Sequence, residues 1–196
     1  MRYEPRLGKL TVIRGSMFSG KTSRLLELLE REKIAGREPI LFKPKIDRRY
    51  SESEVVSHKG IKMVALALGV DGESIQAIDE KSKDYKVVGV DEAQLWQEEA
   101  GLPVFLDKLA DKGKNVYVSV LEKDHMGKPF SNAGQLLALA DEIISLNAIC
   151  MKCGAEGASY SQRIIDGKEV FGPQVQVGGK ELYEPRCRAC FVRPPR

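Results

Sequence analysis

The sequence predicts an α/β fold in which a mostly parallel β-sheet is flanked by helices. Two observations carry this prediction. Short apolar runs typical of buried strands alternate along the chain with segments whose apolar residues recur at helical spacings of three and four. A glycine-containing loop also lies directly between the first strand-like run and the first helix-like segment. Because strands that alternate with helices favour a sheet covered on both faces, we expect three layers.

The predicted elements follow one another in a regular order. The predicted strands cover residues 9–15, 38–44, 86–92 and 115–121. The predicted helices contain the leucines from Leu25 to Leu29 and cover residues 102–114 and 132–143, with Gly36 and Gly113 as stop signals. The segment 51–76 is ambiguous and is interpreted as a loop leading into a further strand and helix. No internal repeat or low-complexity tract interrupts this order.

Composition excludes several classes of function. A net charge of +3 from 31 basic and 28 acidic residues, scattered along the chain, does not indicate a nucleic-acid partner. Neither a membrane span nor a signal peptide is predicted, because no apolar run approaches the length that either would require. We therefore expect a cytoplasmic protein without a membrane partner.

The phosphate loop, "GSMFSGKT", matches the pattern G-x-x-x-x-G-K-[ST] between a predicted strand and a predicted helix. Such a loop turns backbone N–H groups toward phosphate oxygens at the positive end of the helix dipole. Lys21 would reach the β- and γ-phosphates of a bound nucleotide, and the Thr22 hydroxyl would bind Mg²⁺. The pattern thus predicts a P-loop NTPase-like domain. Its predicted nucleotide-binding residues are Gly15, Ser16, Met17, Phe18, Ser19, Gly20, Lys21 and Thr22.

Two acids end the buried run "VVGVDE", and a nucleotide site with a phosphate loop requires such acids beside it. Asp91 at a strand end is suited to hold Mg²⁺ beside the phosphate loop. Glu92 is the candidate general base, since a carboxylate close to an attacking hydroxyl can accept its proton. These motifs do not decide which molecule accepts the phosphoryl group, because a glutamate here could polarise water or deprotonate a substrate alcohol.

The four cysteines form two C-x-x-C pairs near the C-terminus: Cys150, Cys153, Cys187 and Cys190. This arrangement predicts a closed, structural Zn²⁺ site of four thiolates, with a redox dithiol or unrelated thiols as the alternatives. The composition changes near Leu146, which predicts a nucleotide-binding domain at 1–146 and a small zinc-ribbon domain at 147–196. Zinc would pin the intervening loop so that it covers a site, and Gly178 and Gly179 would let its backbone approach a planar ligand.

The ensemble of motifs resembles the zinc-containing thymidine kinases from about Lys9 to Cys190. The resemblance rests on the order and spacing of "GSMFSGKT", "KPKIDRRYS", "SHKG", "DEAQLW", "KPF", "ICMKCGAEGASYSQR" and "VGGKELYEPRCRAC". It implies transfer of the γ-phosphate of ATP to the 5′-hydroxyl of thymidine in nucleotide salvage. It also implies a homotetramer.

The resemblance further implies roles for individual residues. Glu92 matches the catalytic base and Asp91 the magnesium-side carboxylate. Asp47, Arg49 and Gln94 match residues on the nucleotide side. On the nucleoside side, the matching residues are Met17, Leu121, Phe130, Ser161, Tyr183 and the family's lasso at Val177, Gly178 and Gly179, which reads the base largely through its backbone.

The sequence departs from the family pattern at several positions. Leu95 and Trp96 stand where two phenylalanines are common, Glu122 stands where many members carry aspartate, and Ser161 stands where threonine is frequent. These changes predict a reshaped base pocket, so deoxyuridine or a related pyrimidine deoxynucleoside is an alternative substrate. Two other functions are the alternatives to a kinase: a phosphate-loop ATPase or DNA-repair motor, and a nucleotide-sensing regulator with a zinc ribbon.

Overall fold

A computed structural model of the chain describes residues 8–47, 54–56, 62–176, 178–179 and 181–195. The strands are β1 (Lys9–Arg14), β2 (Pro39–Pro44), β3 (Glu54–Val56), β4 (Lys62–Val64), β5 (Leu66–Leu68), β6 (Val87–Val90), β7 (Asn115–Val120), β8 (Glu142–Ser145), β9 (Tyr160–Ile165), β10 (Lys168–Glu169) and β11 (Tyr183–Arg186). The α-helices are α1 (Lys21–Ile34), α2 (Gly72–Lys81), α3 (Leu102–Asp111) and α4 (Ala133–Leu139). Short 3₁₀ turns cover Ala93–Leu95 and Glu98–Ala100.

The main sheet has six strands in the order β5-β2-β6-β7-β1-β8, and each neighbouring pair is parallel. The predicted α/β fold is therefore confirmed. In a parallel sheet the carboxyl ends of all strands meet at one edge, where ligands of such folds bind. The segments that follow β1, β2, β6 and β7 carry the predicted site residues to this edge.

Helices cover both faces of the sheet, as the alternating pattern predicts. Neighbours on β1 show this directly, because Val12 belongs to one core cluster and Ile13 to the other. The Ile13 cluster packs against Leu25 and Leu29 of α1, while the Val12 cluster packs against α2, α3 and α4. Helix α1 therefore forms one outer layer and the other three helices form the opposite one. Among the described residues, no helix has the length and apolar character needed to cross a bilayer.

A buried carboxylate fastens the far end of α1 to the sheet. Glu32 accepts hydrogen bonds from Tyr117 Oη at 2.5 Å and from Asn115 Nδ2 at 3.1 Å, and Arg37 Nε pairs with it at 2.5 Å. Burial alone would raise the pKa of Glu32, but the bonds from Tyr117, Arg37 and Asn115 hold it below its ordinary value. The helix that begins at the phosphate loop is thus held at both ends.

A second, antiparallel sheet of order β10-β9-β11 follows the main one. The sequence predicts a hairpin-like ribbon in this part of the chain, and the structure has it. The second sheet lies wholly after β8, which ends at Ser145. The predicted domain boundary at 146/147 falls in this interval and stays a prediction.

The sequence interpretation was wrong for the end of the helix predicted over 132–143. Helix α4 ends at Leu139, and Glu142–Ser145 forms edge strand β8 beside β1. Asp141 starts this strand, because its backbone N–H donates to Leu10 O at 3.0 Å and its carboxylate accepts from Leu10 N at 2.8 Å. Pairing with β1 overrides the local helical spacing. In the ambiguous segment, strands β3, β4 and β5 lead into α2.

Candidate active site

The phosphate loop joins β1 to α1 as predicted. Gly20 caps the helix with a left-handed backbone (φ 89°, ψ 18°), a conformation that favours glycine. Gly15 is required for another reason, because a Cβ there would lie 2.4 Å from Leu146 O and 2.5 Å from Ser19 Oγ. Both glycines of the motif are therefore dictated by the backbone path of the loop.

The polar side chains of the loop point to an anionic ligand. The ammonium group of Lys21 is buried and donates to Ser16 O at 2.9 Å, which holds the cation over the loop. Ser19 Oγ is buried and has no hydrogen-bond partner among the described residues. A buried hydroxyl beside a buried ammonium at a helix N-terminus fits a phosphate group.

Asp91 lies next to the loop at the carboxyl end of β6. It is buried, and both of its carboxylate oxygens lie 3.4 Å from Thr22 Oγ1. Magnesium prefers oxygen ligands such as this hydroxyl and carboxylate, so the pair fits a Mg²⁺ site beside bound phosphates.

Ser119 of β7 positions both acids. Its hydroxyl donates to Asp91 Oδ1 and accepts from the backbone N–H of Glu92 at 3.1 Å. Glu92 itself has a left-handed backbone (φ 52°, ψ 44°), which is uncommon for a residue with a side chain and costs about 1–3 kcal/mol. Strain of this kind clusters at functional sites, so the geometry supports a functional role for Glu92.

Gln94 connects Glu92 to the end of β7. Its amide Nε2 donates to Glu92 Oε2 at 2.5 Å, and its Oε1 accepts from Leu121 N at 2.9 Å. The sequence places Gln94 on the nucleotide side. In the structure its direct contacts are with the candidate base, so we expect it to hold that carboxylate in one orientation.

Replacing Ser119 with alanine is expected to lower kcat about tenfold, because it leaves Asp91 and the Glu92 N–H without their shared partner. Steady-state kinetics and thermal unfolding would measure the effect on turnover and on stability separately. Ser145→Ala is the matched control, since it removes a serine hydroxyl from the mostly exposed strand β8, where that hydroxyl accepts a hydrogen bond from Arg14 Nε. A Ser119→Ala variant that folds and turns over normally would contradict the positioning role.

A cleft opens beside these acids and is called the main cleft below. It is bounded by the ends of the main-sheet strands on one side and by the second sheet on the other. Its lining residues are Met17, Asp47, Glu92, Gln94, Leu95, Leu121, His125, Phe130, Ser161, Gln174, Val175, Gln176, Gly178 and Tyr183. A cleft that is mostly apolar with a few polar groups suits a small molecule.

The segment between β10 and β11, residues 170–182, is called the lasso here, and its residues 174–176 and 178 form one wall of the main cleft. Tyr183 anchors it, because its hydroxyl donates to Gln176 O at 2.7 Å. The buried guanidinium of Arg163 donates to the same hydroxyl at 3.0 and 3.2 Å and to Gln174 O at 3.4 Å. Two lasso carbonyls are therefore fixed by side chains of the second sheet.

The second sheet also contacts the phosphate loop directly. Ser16 Oγ donates to Ala158 O at 2.8 Å, and Met17 N donates to Ser161 Oγ at 3.0 Å. The loop and the lasso are thus connected through β9, which carries both Ser161 and Arg163.

The four cysteines come together as a cluster that can hold a metal ion, since their sulfur atoms all lie within 4.8 Å of one another. Cys153 Sγ and Cys187 Sγ are 3.8 Å apart, which is the separation expected for tetrahedral thiolates about 2.3 Å from Zn²⁺. The donor set and its spacing therefore fit zinc. This cluster lies directly after β11, so a metal there would fasten the end of the strand that carries Tyr183.

The structure brings most of the predicted site residues together. Among the predicted nucleoside residues, Met17, Leu121, Phe130, Ser161, Gly178 and Tyr183 line the main cleft. Gly179 contacts Glu181 instead, its N–H donating to Oε1 at 2.6 Å. Arg49 and Val177 lie outside the described residues, as does His58.

Sequence reasoning missed several residues of the main cleft. His125, Gln174, Val175 and Gln176 line it without having been predicted. The glutamines and the valine precede the recognised "VGG", so extending the lasso toward its N-terminal side would have found them. No motif marked His125.

The two departures at 95 and 96 have different outcomes. Leu95 lines the main cleft, whereas Trp96 is fully buried in the core and donates from Nε1 to Ser74 Oγ at 3.0 Å. Of these two, only Leu95 changes the wall of the cleft. Ser161, a third departure, lines the cleft as well, and Glu122 is paired with Arg14 Nη1 at 3.0 Å.

The fold and the site define a phosphate-loop enzyme whose acids face a cleft for a small molecule. Comparison with known proteins agrees: the family model described as thymidine kinase matches residues 8–191. A thymidine kinase of Pyrobaculum aerophilum is 40% identical over 188 residues, covering 95% of this chain and 100% of that protein. A thymidine kinase of Thermococcus kodakarensis is 43% identical over 191 residues, covering 95% of each chain. The chain belongs to the thymidine kinase family.

Proposed function

We propose that this protein transfers the γ-phosphate of ATP to the 5′-hydroxyl of thymidine, or of a closely related pyrimidine deoxynucleoside, in nucleotide salvage. The observation that carries the proposal is the position of Glu92. Its carboxylate lines the main cleft, while its neighbour Asp91 contacts the phosphate-loop residue Thr22. One pair of adjacent residues thus faces the phosphoryl donor on one side and a small-molecule acceptor on the other.

The phosphate loop binds the donor, with Lys21 and the backbone N–H groups around the phosphate oxygens. When bound, Mg²⁺ neutralises charge on the triphosphate, and Thr22 and Asp91 would hold it. The carboxylate of Glu92 accepts the proton of the 5′-hydroxyl. The 5′-oxygen of the nucleoside forms the new bond to the γ-phosphorus, and ADP departs. Gln94 and Ser119 keep that carboxylate in place. Asp47 and Arg49 act where donor and acceptor meet, in line with the position of Asp47 in the cleft wall.

The base of the nucleoside occupies the part of the main cleft that the lasso closes. Leu121 and Phe130 supply apolar contacts. Met17 of the phosphate loop and Ser161 of β9 lie in the same cleft wall, so the loop is close to the nucleoside. The predicted contacts of Val177, Gly178 and Gly179 with the base would be made through the lasso backbone. Arg163 and Tyr183 hold the carbonyls of Gln174 and Gln176 in the same lasso. Closure excludes water, which would otherwise compete as phosphoryl acceptor.

The cysteine cluster holds a structural Zn²⁺ in this proposal. Four thiolates leave no open ligand position, so the ion stabilises the fold and takes no part in transfer. Its contribution to function is indirect, through the strand β11 that carries Tyr183.

A homotetramer and a cytoplasmic location complete the proposal, and both rest on the resemblance and composition of the sequence. No nucleic acid or membrane is required as a partner. Sedimentation of the purified protein would measure the oligomeric state.

Incubation with ATP and Mg²⁺ and a panel of nucleosides tests the function. We expect ADP and nucleoside monophosphate to form in equal amounts with thymidine, more slowly with deoxyuridine, and not with purine nucleosides. DNA-stimulated ATP hydrolysis without a phosphorylated nucleoside would indicate a motor. Tight nucleotide binding without turnover would indicate a regulator, and either result would overturn the proposal.

A further inference from the structure

His125 is a buried polar residue in the wall of the main cleft that no step of the proposed transfer uses. Its side chain is only 2% exposed. Neither Nδ1 nor Nε2 makes a hydrogen bond with any of the residues that the structure describes. The Gly172 backbone approaches the ring, but without the distance and angle of an ordinary hydrogen bond.

Buried polar groups without partners are rare in folded proteins, and each requires a physical reason. Apolar packing is not the reason here, because a phenylalanine would fill a similar volume without leaving two nitrogens unsatisfied. The ring lies in the wall of the cleft that the proposed nucleoside enters, beside the lasso. A ligand that carries hydrogen-bonding groups would therefore satisfy it.

Burial and a neighbouring cation favour the neutral form of the ring. Burial lowers the pKa of His125 below its ordinary value, the cationic Arg163 of β9 lowers it further, and Asp124 and the Gly172 backbone act in the opposite direction. The other titratable groups facing the same cleft are Asp47, Glu92 and Tyr183. A neutral imidazole has one N–H donor and one nitrogen acceptor.

We propose that His125 is a specificity-determining residue that hydrogen-bonds the polar edge of the pyrimidine base. The proposal rests on the proposed nucleoside kinase function. A thymine presents an N3–H donor between two carbonyl acceptors, and a neutral imidazole can accept from the first or donate to the second. The contact adds a side-chain element to a base site otherwise formed by apolar residues and lasso backbone.

Replacing His125 with phenylalanine is expected to raise KM for thymidine about tenfold and to change kcat less than KM. His125→Asn retains a donor and an acceptor and should restore part of the affinity. A nonpolar isostere of thymidine, with difluorotoluene in place of the base, cannot form the bond. Its KM should change little between wild type and His125→Phe, which isolates the hydrogen bond from packing.

The pH dependence supplies a second readout. Protonation would place a second cation beside Arg163 and remove the nitrogen that accepts from N3–H. Thymidine affinity should therefore fall as pH drops through the lowered pKa of His125 when the ring is the acceptor, whereas a ring that donates to a carbonyl keeps its bond. The fall should therefore begin only below about pH 6.5, the ordinary value for histidine, and be absent in His125→Phe.

Imidazole nitrogen resonances test the contact directly in the wild-type protein. With only two histidines in the chain, ¹⁵N-histidine labelling gives two sets of signals, and the set missing from His125→Phe or His125→Asn is that of His125. Saturation with thymidine should move this set toward a single tautomer. If thymidine is phosphorylated but the signals and KM values do not respond, this inference is wrong and the kinase function stands. If thymidine is not phosphorylated at all, the proposed function fails and this inference fails with it.

Discussion

Glu92→Gln is expected to lower kcat for thymidine phosphorylation by about 10²–10⁴-fold, because the amide cannot accept the proton of the 5′-hydroxyl. The substitution keeps the size of the side chain and its place beside Gln94. The dissociation constant for ATP should stay close to that of the wild type, since the phosphate loop and Asp91 are unchanged. Single-turnover kinetics and a nucleotide-binding titration would measure the two quantities separately.

Glu98→Gln is the matched control for this experiment. It makes the same carboxylate-to-amide exchange in the exposed 3₁₀ turn Glu98–Ala100, a few residues along the chain and away from the main cleft. Its kcat should equal that of the wild type. Near-normal turnover in Glu92→Gln would show that another group accepts the proton and would remove Glu92 from the base position.

Local patterns were sufficient to predict the frame of this site. The phosphate loop needs glycine at position 20, where the backbone turns, and at position 15, where it approaches a neighbour closely. Both glycines can be recognised in the sequence. Asp91 and Glu92 were visible because two acids after an apolar run end a buried strand. The cysteine pairs were visible because ligands to one metal are spaced regularly along the chain.

What the sequence could not predict depends on contacts between distant segments. The first two residues of strand β8 were assigned to a helix because its partner β1 lies far away in the chain, and only pairing reveals an edge strand. Ser119 and Arg163 carry no motif, yet each fixes functional groups through hydrogen bonds formed on folding. His125 is distinguished only by burial in the cleft wall without partners, a property of the folded protein.

The contacts of β9 connect the two halves of the site more closely than the sequence suggested. The sequence predicted a ribbon and a pinned loop between the cysteine pairs, and the structure shows that the ribbon strand β9 lies between the phosphate loop and the lasso. Ser161 reaches the phosphate loop and Arg163 reaches the lasso. Because these residues lie on the same strand, disturbing the second sheet should affect both donor and acceptor binding.

Substitution in the cysteine cluster is the strongest test of whether the second sheet holds the lasso in place. Cys187→Ser removes a thiolate directly after β11, and three ligands hold zinc far less tightly than four. We expect loss of the bound metal, and a fall in melting temperature of about 10 °C, because metal binding at such sites supplies folding free energy. Metal analysis of the purified variant and a thermal unfolding curve would measure both.

The functional consequence should appear in KM for thymidine. Tyr183 begins β11 and Cys187 follows its end, so loss of the metal frees the strand that fixes Gln176 and, through Arg163, Gln174. KM should therefore rise more than kcat falls, and wild-type protein stripped of its metal by a chelator, then assayed with the chelator removed and Mg²⁺ restored, should show the same change. Ala189→Ser, which adds a hydroxyl beside the cluster without removing a thiolate, should keep its metal and its KM. Full metal content with unchanged thymidine affinity in Cys187→Ser would mean that the cluster does not hold the lasso in place.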